Sequence, residues 1–319
     1  MNKNKYEDIL IDLYGSYELK QFIVQLSEQK IFVCGGYVDI KNPPPNSFRE
    51  YFFERAASSN PELESLLIMA ESFKDYLQDG LYNDLLTFET DIAHISALII
   101  IFLESPGSLV ELGLFSNKSD FYNKLLIITP NTESKDSFIY LGPLTHIKRK
   151  NDKLVLSYPF PKKGIDFDQS HVDDIISCTK EILSKLDKTQ KFDSNNITHI
   201  IFLICEIVRL SYPIILTEIE FSLAALYIDL TQTEVKRFLY LLDKLEYINV
   251  YDYSSYKFYY PSSNYKDKCF VKFGKNNEGT KFDESKHKMK LRESYMQSND
   301  DIARKRKSAL KYIMKEHRS

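Results

Sequence analysis

The side chains best able to do chemistry crowd into residues 98–117, which read LIIIFLESPGSLVELGLFSN. Two carboxylates, Glu104 and Glu111, flank the polar turn Ser105-Pro106-Gly107-Ser108. A helix opening at such a turn offers unpaired backbone N–H groups and a positive dipole end, which together suit an anion. Glu111, one turn inside that helix, has two readings. Ser108-x-x-Glu111 has capping-box spacing, with the carboxylate folding back onto the Ser108 N–H. Alternatively, the carboxylate looks into the crevice before the helix. The same spacing recurs at Ser47-x-x-Glu50, Thr217-x-x-Glu220 and Thr231-x-x-Glu234, so it does not choose between them.

The apolar pattern says what would hold these groups. Residues 98–103 form an unbroken Ile-rich run, too short to cross a bilayer and suited to a strand buried on both faces of a parallel sheet. After the turn, Leu109, Leu112 and Phe115 resume at helical spacing. Strand, turn and helix place the turn at the carboxyl edge of the sheet, where open α/β folds bind ligands. Residues 30–34, 124–129 and 154–157 read as further strands, and 98–129 has the length of a right-handed crossover. Gly35 and Gly36 end the first strand, either as a plain turn or to let backbone approach a ligand. Pro43-Pro44-Pro45 requires a stiff loop. Residues 47–58 and 61–79 read as helices, and 5–29 as one or two more. Asp91, near a helix end, precedes the central strand, and His94 is expected to pack.

The wording ESPGSLVELG resembles the Gly-x-x-x-Glu-Leu-Gly signature of the nucleoside 2-deoxyribosyltransferase-like fold. It resembles more closely the effector proteins encoded beside retron reverse transcriptases. Three motifs carry this likeness in order: Cys34-Gly35-Gly36, Glu104 to Gly113, and Ser137-Phe138-Ile139-Tyr140-Leu141-Gly142-Pro143. The resemblance implies that Glu111 is a nucleophile toward the anomeric carbon of an N-glycoside, where a carboxylate stabilises the oxocarbenium-like state. It implies a second catalytic role for Asp91, in proton transfer or base recognition, because Ile95 follows it four residues on. Gly35, Gly36, Glu104, Ser105, Gly107, Ser108 and Tyr140 are the substrate-binding residues it suggests. Where the transferases carry a second acid this chain has Ser105, with Glu104 one residue earlier. Gly107 and Ser108 suit a 5′-phosphate, so a nucleotide such as NAD is expected as substrate, with no cofactor and no metal.

The 319 residues exceed one ordinary core, and 43% hydrophobic content allows a packed interior. The expected fold class is α/β: a parallel-sheet, Rossmann-type deoxyribosyltransferase-like domain followed by a winged-helix-like domain. The expected boundaries are 1–165 catalytic, 166–196 helical connector, 197–263 winged-helix-like and 264–319 basic tail. Three helices and a two-strand hairpin in 197–260 support the second domain, with Thr231 capping its recognition helix. Lys236, Arg237 and Lys244 on that helix, with Arg304, Lys305, Arg306 and Lys307 in the tail, are the nucleic-acid candidates. Tyr251, Tyr253, Tyr256 and Tyr259 could stack on bases. The tail holds 16 Lys and Arg against 8 Asp and Glu, in a chain of net charge −3. The four cysteines are scattered and fit a reducing compartment. The N-terminus does not read as a signal peptide and no run is long enough to span a membrane, so a cytoplasmic protein is expected.

What the resemblance implies as a whole is a toxic anti-phage effector. A reverse transcriptase and its RNA-linked single-stranded DNA would restrain it, in a homo-oligomer or higher-order assembly. The alternative is a catalytically inactive nucleotide sensor that regulates through DNA binding.

Overall fold

The computed structural model describes residues 5–26, 30–39, 45–73, 80–162 and 167–317. Pro43 and Pro44 of the stiff loop, the end of the 61–79 stretch and the boundary at 165 lie outside the described residues. In chain order the first elements are α1 (Lys5–Gly15), β1 (Ile23–Gln25), β2 (Ile31–Cys34), α2 (Phe48–Ser59), α3 (Pro61–Glu64), β3 (Leu67–Ile68), α4 (Leu85–Ile95), β4 (Leu98–Phe102), α5 (Pro106–Ser116) and β5 (Leu125–Pro130). There follow α6 (Thr145–Lys150), β6 (Val155–Tyr158), α7 (Ser170–Lys185), β7 (Thr189–Lys191), α8 (Ile197–Ser211), α9 (Leu216–Ala225), α10 (Gln232–Lys244), β8 (Ile248–Tyr253), β9 (Tyr256–Pro261), β10 (Val271–Lys272), α11 (Glu284–Gln297) and α12 (Asp301–Glu316). They form two compact units. A sheet unit comprises residues 28–77 and 83–187, and a helical unit comprises 1–27, 78–82 and 188–319.

The sheet unit is α/β and Rossmann-like. Its five parallel strands run β3-β2-β4-β5-β6, with Ile31 opposite Leu98 and Ile99 opposite Leu125. Every residue of β2 and β4 is buried, as continuous apolar runs require. Side chains alternate between the faces. Ile31, Val33, Ile100 and Phe102 pack with Phe48, Phe52 and Ala56 of α2 and Val172, Ile175 and Ile176 of α7. Phe32 points to the opposite face, where its ring meets Phe115 of α5 at 6.1 Å. Cys34, two residues on, shares that face. The strand order reverses between β2 and β4. That switch point is where the ends of two neighbouring strands leave a crevice.

Several sequence expectations need correction. Residues 61–79 do not form one helix: α3 is one turn, and Leu67 and Ile68 pair with Ile31 and Phe32. Edge pairing to a buried strand outweighs helical propensity here. Ile23–Gln25 is likewise a strand, held antiparallel between β7 and β10. The division of the chain also differs from the expected boundaries. Tyr6 and Tyr14 of α1 hydrogen-bond Ser211 at the end of α8, so the N-terminus joins the helical unit. The connector helix α7 packs on the sheet, and the basic tail folds into α11 and α12 within the helical unit.

Within the helical unit, α8, α9 and α10 precede the β8–β9 hairpin, with Tyr253 opposite Tyr256 across its turn. Buried ion pairs hold the unit together. Arg306 of α12 reaches Glu218 and the Pro213 carbonyl, and Arg209 joins Glu206 at 2.6 Å and Glu284 at 2.7 Å. Among the described residues no helix is long and apolar enough to cross a membrane.

Candidate active site

Helix α5 starts differently from the Ser108–Glu111 box. Ser105 is the N-cap and Pro106 occupies the first turn, where its missing N–H is harmless. The box is Ser105 with Ser108: the Ser105 hydroxyl accepts from the Ser108 N–H and the Ser108 hydroxyl from the Ser105 N–H, both at 3.1 Å. Ser105 Oγ also donates to the Gly35 carbonyl and Ser108 Oγ to the Ser105 carbonyl. Both hydroxyls are therefore committed to local backbone, and Glu111 is released from capping.

Glu104 is committed as well. One carboxylate oxygen accepts from the Gly36 and Arg49 N–H groups at 3.0 Å each, and the other from the Phe48 N–H at 2.6 Å. It thus closes the first turn of α2 onto the end of β2. Burial raises its pKa, against these three N–H groups and the Arg49 charge. The glycines follow from the same closeness. A Cβ on Gly36 would lie 2.8 Å from the Ser47 Cβ and 3.0 Å from the Glu104 carboxylate. One on Gly35 would lie 3.0 Å from Arg49 Cδ and from Phe102 Cβ. Close protein atoms alone already require both glycines.

Glu111 sits on α5 above the switch point, half-buried, with its Oε2 enclosed and unpartnered among the described residues. Burial pushes its carboxyl up to about 7. The Arg49 guanidinium and a hydrogen bond from the Cys34 thiol oppose that rise, and the Glu71 charge adds to it. Arg49 is itself buried. It grips Glu71 through two 2.8 Å bonds and donates to the Gly36 carbonyl at 3.2 Å, while its Nε has no partner among the described residues. Burial lifts the Glu71 carboxyl, and Arg49 more than reverses this, leaving it lowered.

A third acid completes the cluster. Burial, followed by the charges of Glu111 and Glu71, pushes buried Glu89 of α4 up to about 8. Burial likewise lifts the Cys34 thiol, with Glu111 and Glu89 as its nearest charges. Asp91 is also buried in α4. At 100° per residue it lies about 200° round the helix from Glu89. Glu89 is an α4 acid whose carboxyl feels the Glu111 charge. His94 packs as expected, its ring 4.8 Å from Phe121.

The sequence also carried signals for the residues that motif reading missed. Arg49 lies on the stripe of Phe52, Phe53 and Ala56 at i+3, i+4 and i+7, and Glu89 lies on that of Ile92 and Ala93. A charge on an apolar stripe is buried, and buried charges with shifted pKa values gather at working sites. Glu71, on a short turn, left no such trace. Half-buried Tyr140 starts a turn that packs against α5, with Lys148 Nζ 4.9 Å over its ring. Gly107 is exposed at the tip of α5.

The basic candidates are dispersed. Arg237 lies over the Tyr82 ring at 5.6 Å, Lys244 over Tyr240 at 5.5 Å, and Lys236 is half-buried. Of the run 304–307 only Arg304 is exposed. Lys305 bonds Asp301 at 2.7 Å, and Lys307 donates to the Ser298 carbonyl at 2.8 Å. Arg306 does not face solvent: it shares the inner face of α12 with Ala303, Ala309, Leu310 and Ile313. Nor do the hairpin tyrosines form an open ladder. Tyr251 stacks on Tyr312 of α12 at 4.1 Å, Tyr256 lies under Lys305 and Tyr259 is buried.

Residues 45–250, more than half of the chain, match the family described as STM3845 retron effector protein. The chain belongs to this family. Two curated Escherichia coli proteins are similar to this retron effector. One, named "Retron Ec86 putative ribosyltransferase/DNA-binding protein", is 35% identical over 127 residues, 40% of this chain and 39% of the relative. Its counterpart of retron Ec73, named in the same words, is 28% identical over 164 residues, 50% of this chain and 51% of the relative. The chain thus spans about two-fifths to one-half of the curated relatives it matches.

Proposed function

We propose that this retron effector cleaves or transfers the N-glycosidic bond of a nucleotide, NAD or a relative of it, with Glu111 as nucleophile. One observation carries the reading. A carboxyl freed from helix capping stands at the switch point of the sheet, with an enclosed unpartnered oxygen and a pKa near neutrality. In its carboxylate form Glu111 attacks C1′. The C1′–N bond breaks, its electron pair leaves with the base, and a glycosyl ester forms. Water then adds at C1′ and frees Glu111, giving ADP-ribose from NAD or a sugar phosphate from a nucleoside monophosphate, or a second base takes the glycosyl group. The exposed tip of α5 at Gly107 faces the substrate phosphate, and Tyr140 contributes from the turn that packs against α5. Asp91, buried in α4 with Glu89, serves proton transfer or recognition of the base.

In this reading α8, α9, α10 and the hairpin form a winged-helix-like unit. With Lys236 and Arg304 it contacts the retron reverse transcriptase and its RNA-linked DNA, which hold the effector inactive in a higher-order cytoplasmic assembly. The names of the two relatives, which join ribosyltransferase to DNA-binding, support both halves. The test is chromatography of free base after incubation with NAD, nucleoside monophosphates and nucleosides, with and without the retron complex. Base release by the wild type and at least a 10³-fold loss in Glu111→Gln are expected, an order typical of a removed nucleophile. Equal release by Glu111→Gln would refute the nucleophile, whereas no release by the wild type in either state, with tight DNA binding in the absence of the reverse transcriptase, would favour the nucleotide-sensing regulator.

A further inference from the structure

Arg49 and Glu111 each leave one buried polar atom unsatisfied, and the two atoms are complementary: the Arg49 Nε–H is a donor and Glu111 Oε2 is an acceptor. Both groups act at the end of β2: the Glu111 carboxyl feels the Cys34 thiol and the Arg49 guanidinium, and Arg49 donates to the Gly36 carbonyl at 3.2 Å. The other edge of the guanidinium is held by Glu71, whose side chain is 66% exposed against 2% for Arg49. Leaving a buried donor and a buried acceptor unpaired carries a desolvation penalty at both atoms, so a native site that keeps both is poised to join them.

We propose that Arg49 is a positioning residue shared between two carboxylates: Glu71 holds its guanidinium in the resting protein, and a turn of that guanidinium toward Glu111 Oε2 makes Glu111 the carboxylate that the reaction needs. The idea rests on the nucleophile reading above. The groups facing Glu111 are Arg49 from α2, Glu71 from the turn after β3, Cys34 from β2 and Glu89 from α4. Of these only Arg49 is positive. Glu71 restrains Glu111 twice, by its own charge and by occupying the one cation. When the guanidinium turns, the Glu111 carboxyl gives its proton to water, and the new Nε–H···Oε2 bond keeps it ionised. Glu71 loses little, because water replaces its partner.

The test is a carbon-13 titration of glutamate carboxyls in the full-length protein, with the Glu111 resonance assigned from its loss in Glu111→Gln. The wild-type midpoint is expected near 7. In Glu71→Gln it falls, and in Arg49→Gln it rises, each by about 1–2 pH units, the range for a neighbouring charge. If Glu71→Gln does not fold, Glu71→Asp, one methylene shorter, opens the fork and lowers the midpoint in the same direction. An unmoved or raised midpoint in the Glu71 variants would overturn the proposal. The expected shifts without base release from any nucleotide would sink the glycosidase reading and leave the sharing of Arg49 standing. Glu111-dependent release whose acid limb ignores Glu71 would do the reverse.

Discussion

Arg306 in the helical unit and Arg49 in the sheet unit are equally buried, at 1% and 2% exposure, yet they are paired in opposite ways. Arg306 meets Glu218, an acid with no exposure at all, and the Pro213 carbonyl, and it lies 4.0 Å over the Tyr6 ring. Arg49 meets Glu71, an acid largely in water, while burial raises the nearby Glu111 and Glu89 carboxyls. The first arrangement has one low-energy state and ties α12 to α9. The second has two carboxylates competing for one cation, an arrangement that can change hands. Buried charge alone therefore does not distinguish scaffold from site; what sets Arg49 apart is a second buried carboxyl, Glu111, with an unpartnered oxygen among the described residues.

Replacement of each arginine sharpens this contrast. Arg306→Leu strands Glu218 in the interior and is expected to destabilise the helical unit by about 3–5 kcal/mol. Arg49→Leu strands Glu71, an acid that water can reach, and leaves Glu111 and Glu89 able to keep their protons, so it is expected to destabilise the sheet unit by clearly less. Hydrogen exchange resolved by unit would read both, and equal losses would break the comparison.

The pH dependence offers a smaller effect of opposite sign in the two units. Glu89 titrates at about 8 when folded against an ordinary 4.5, so the folded protein keeps a proton that the unfolded chain has lost. Stability therefore falls as pH rises from 4.5 through 8. Glu89→Gln should remove roughly 1–3 kcal/mol of that decline. Glu284, held at about 2 first by its hydrogen bond to Arg209, behaves oppositely: its contribution is present above 4.5 and lost as pH falls toward 2. Because Glu284 is partly exposed, the change in Glu284→Gln is expected to be the smaller. Melting curves of both variants across pH 3–9 would show it, and parallel slopes would contradict the account.

Much of this was legible in the sequence, for reasons that differ by element. The stretches 31–34, 98–102 and 125–128 announce themselves because burial on both faces leaves no polar position. Leu67 and Ile68 do not, because a two-residue edge strand inside PELESLLIMAES carries helical periodicity. The Ser105 cap was hidden because its box uses Ser108 in place of the usual Glu or Gln. At the site, Glu104 and Glu111 share one motif and were visible together. Arg49, Glu71 and Glu89 come from three separate elements, so only the fold brings them together. Arg306 misled because a run of four basic residues reads as one charged surface, while helical period turns one of the four inward.

The central claim is that Glu111 becomes bonded to a sugar. The most direct measurement is the mass of the peptide carrying residues 106–116 after acid quench of a reaction with the nucleotide whose base is released. The account predicts an added glycosyl phosphate on Glu111, absent in Glu111→Gln. Base release with that peptide unmodified, at a rate Glu111→Gln leaves unchanged, would contradict it.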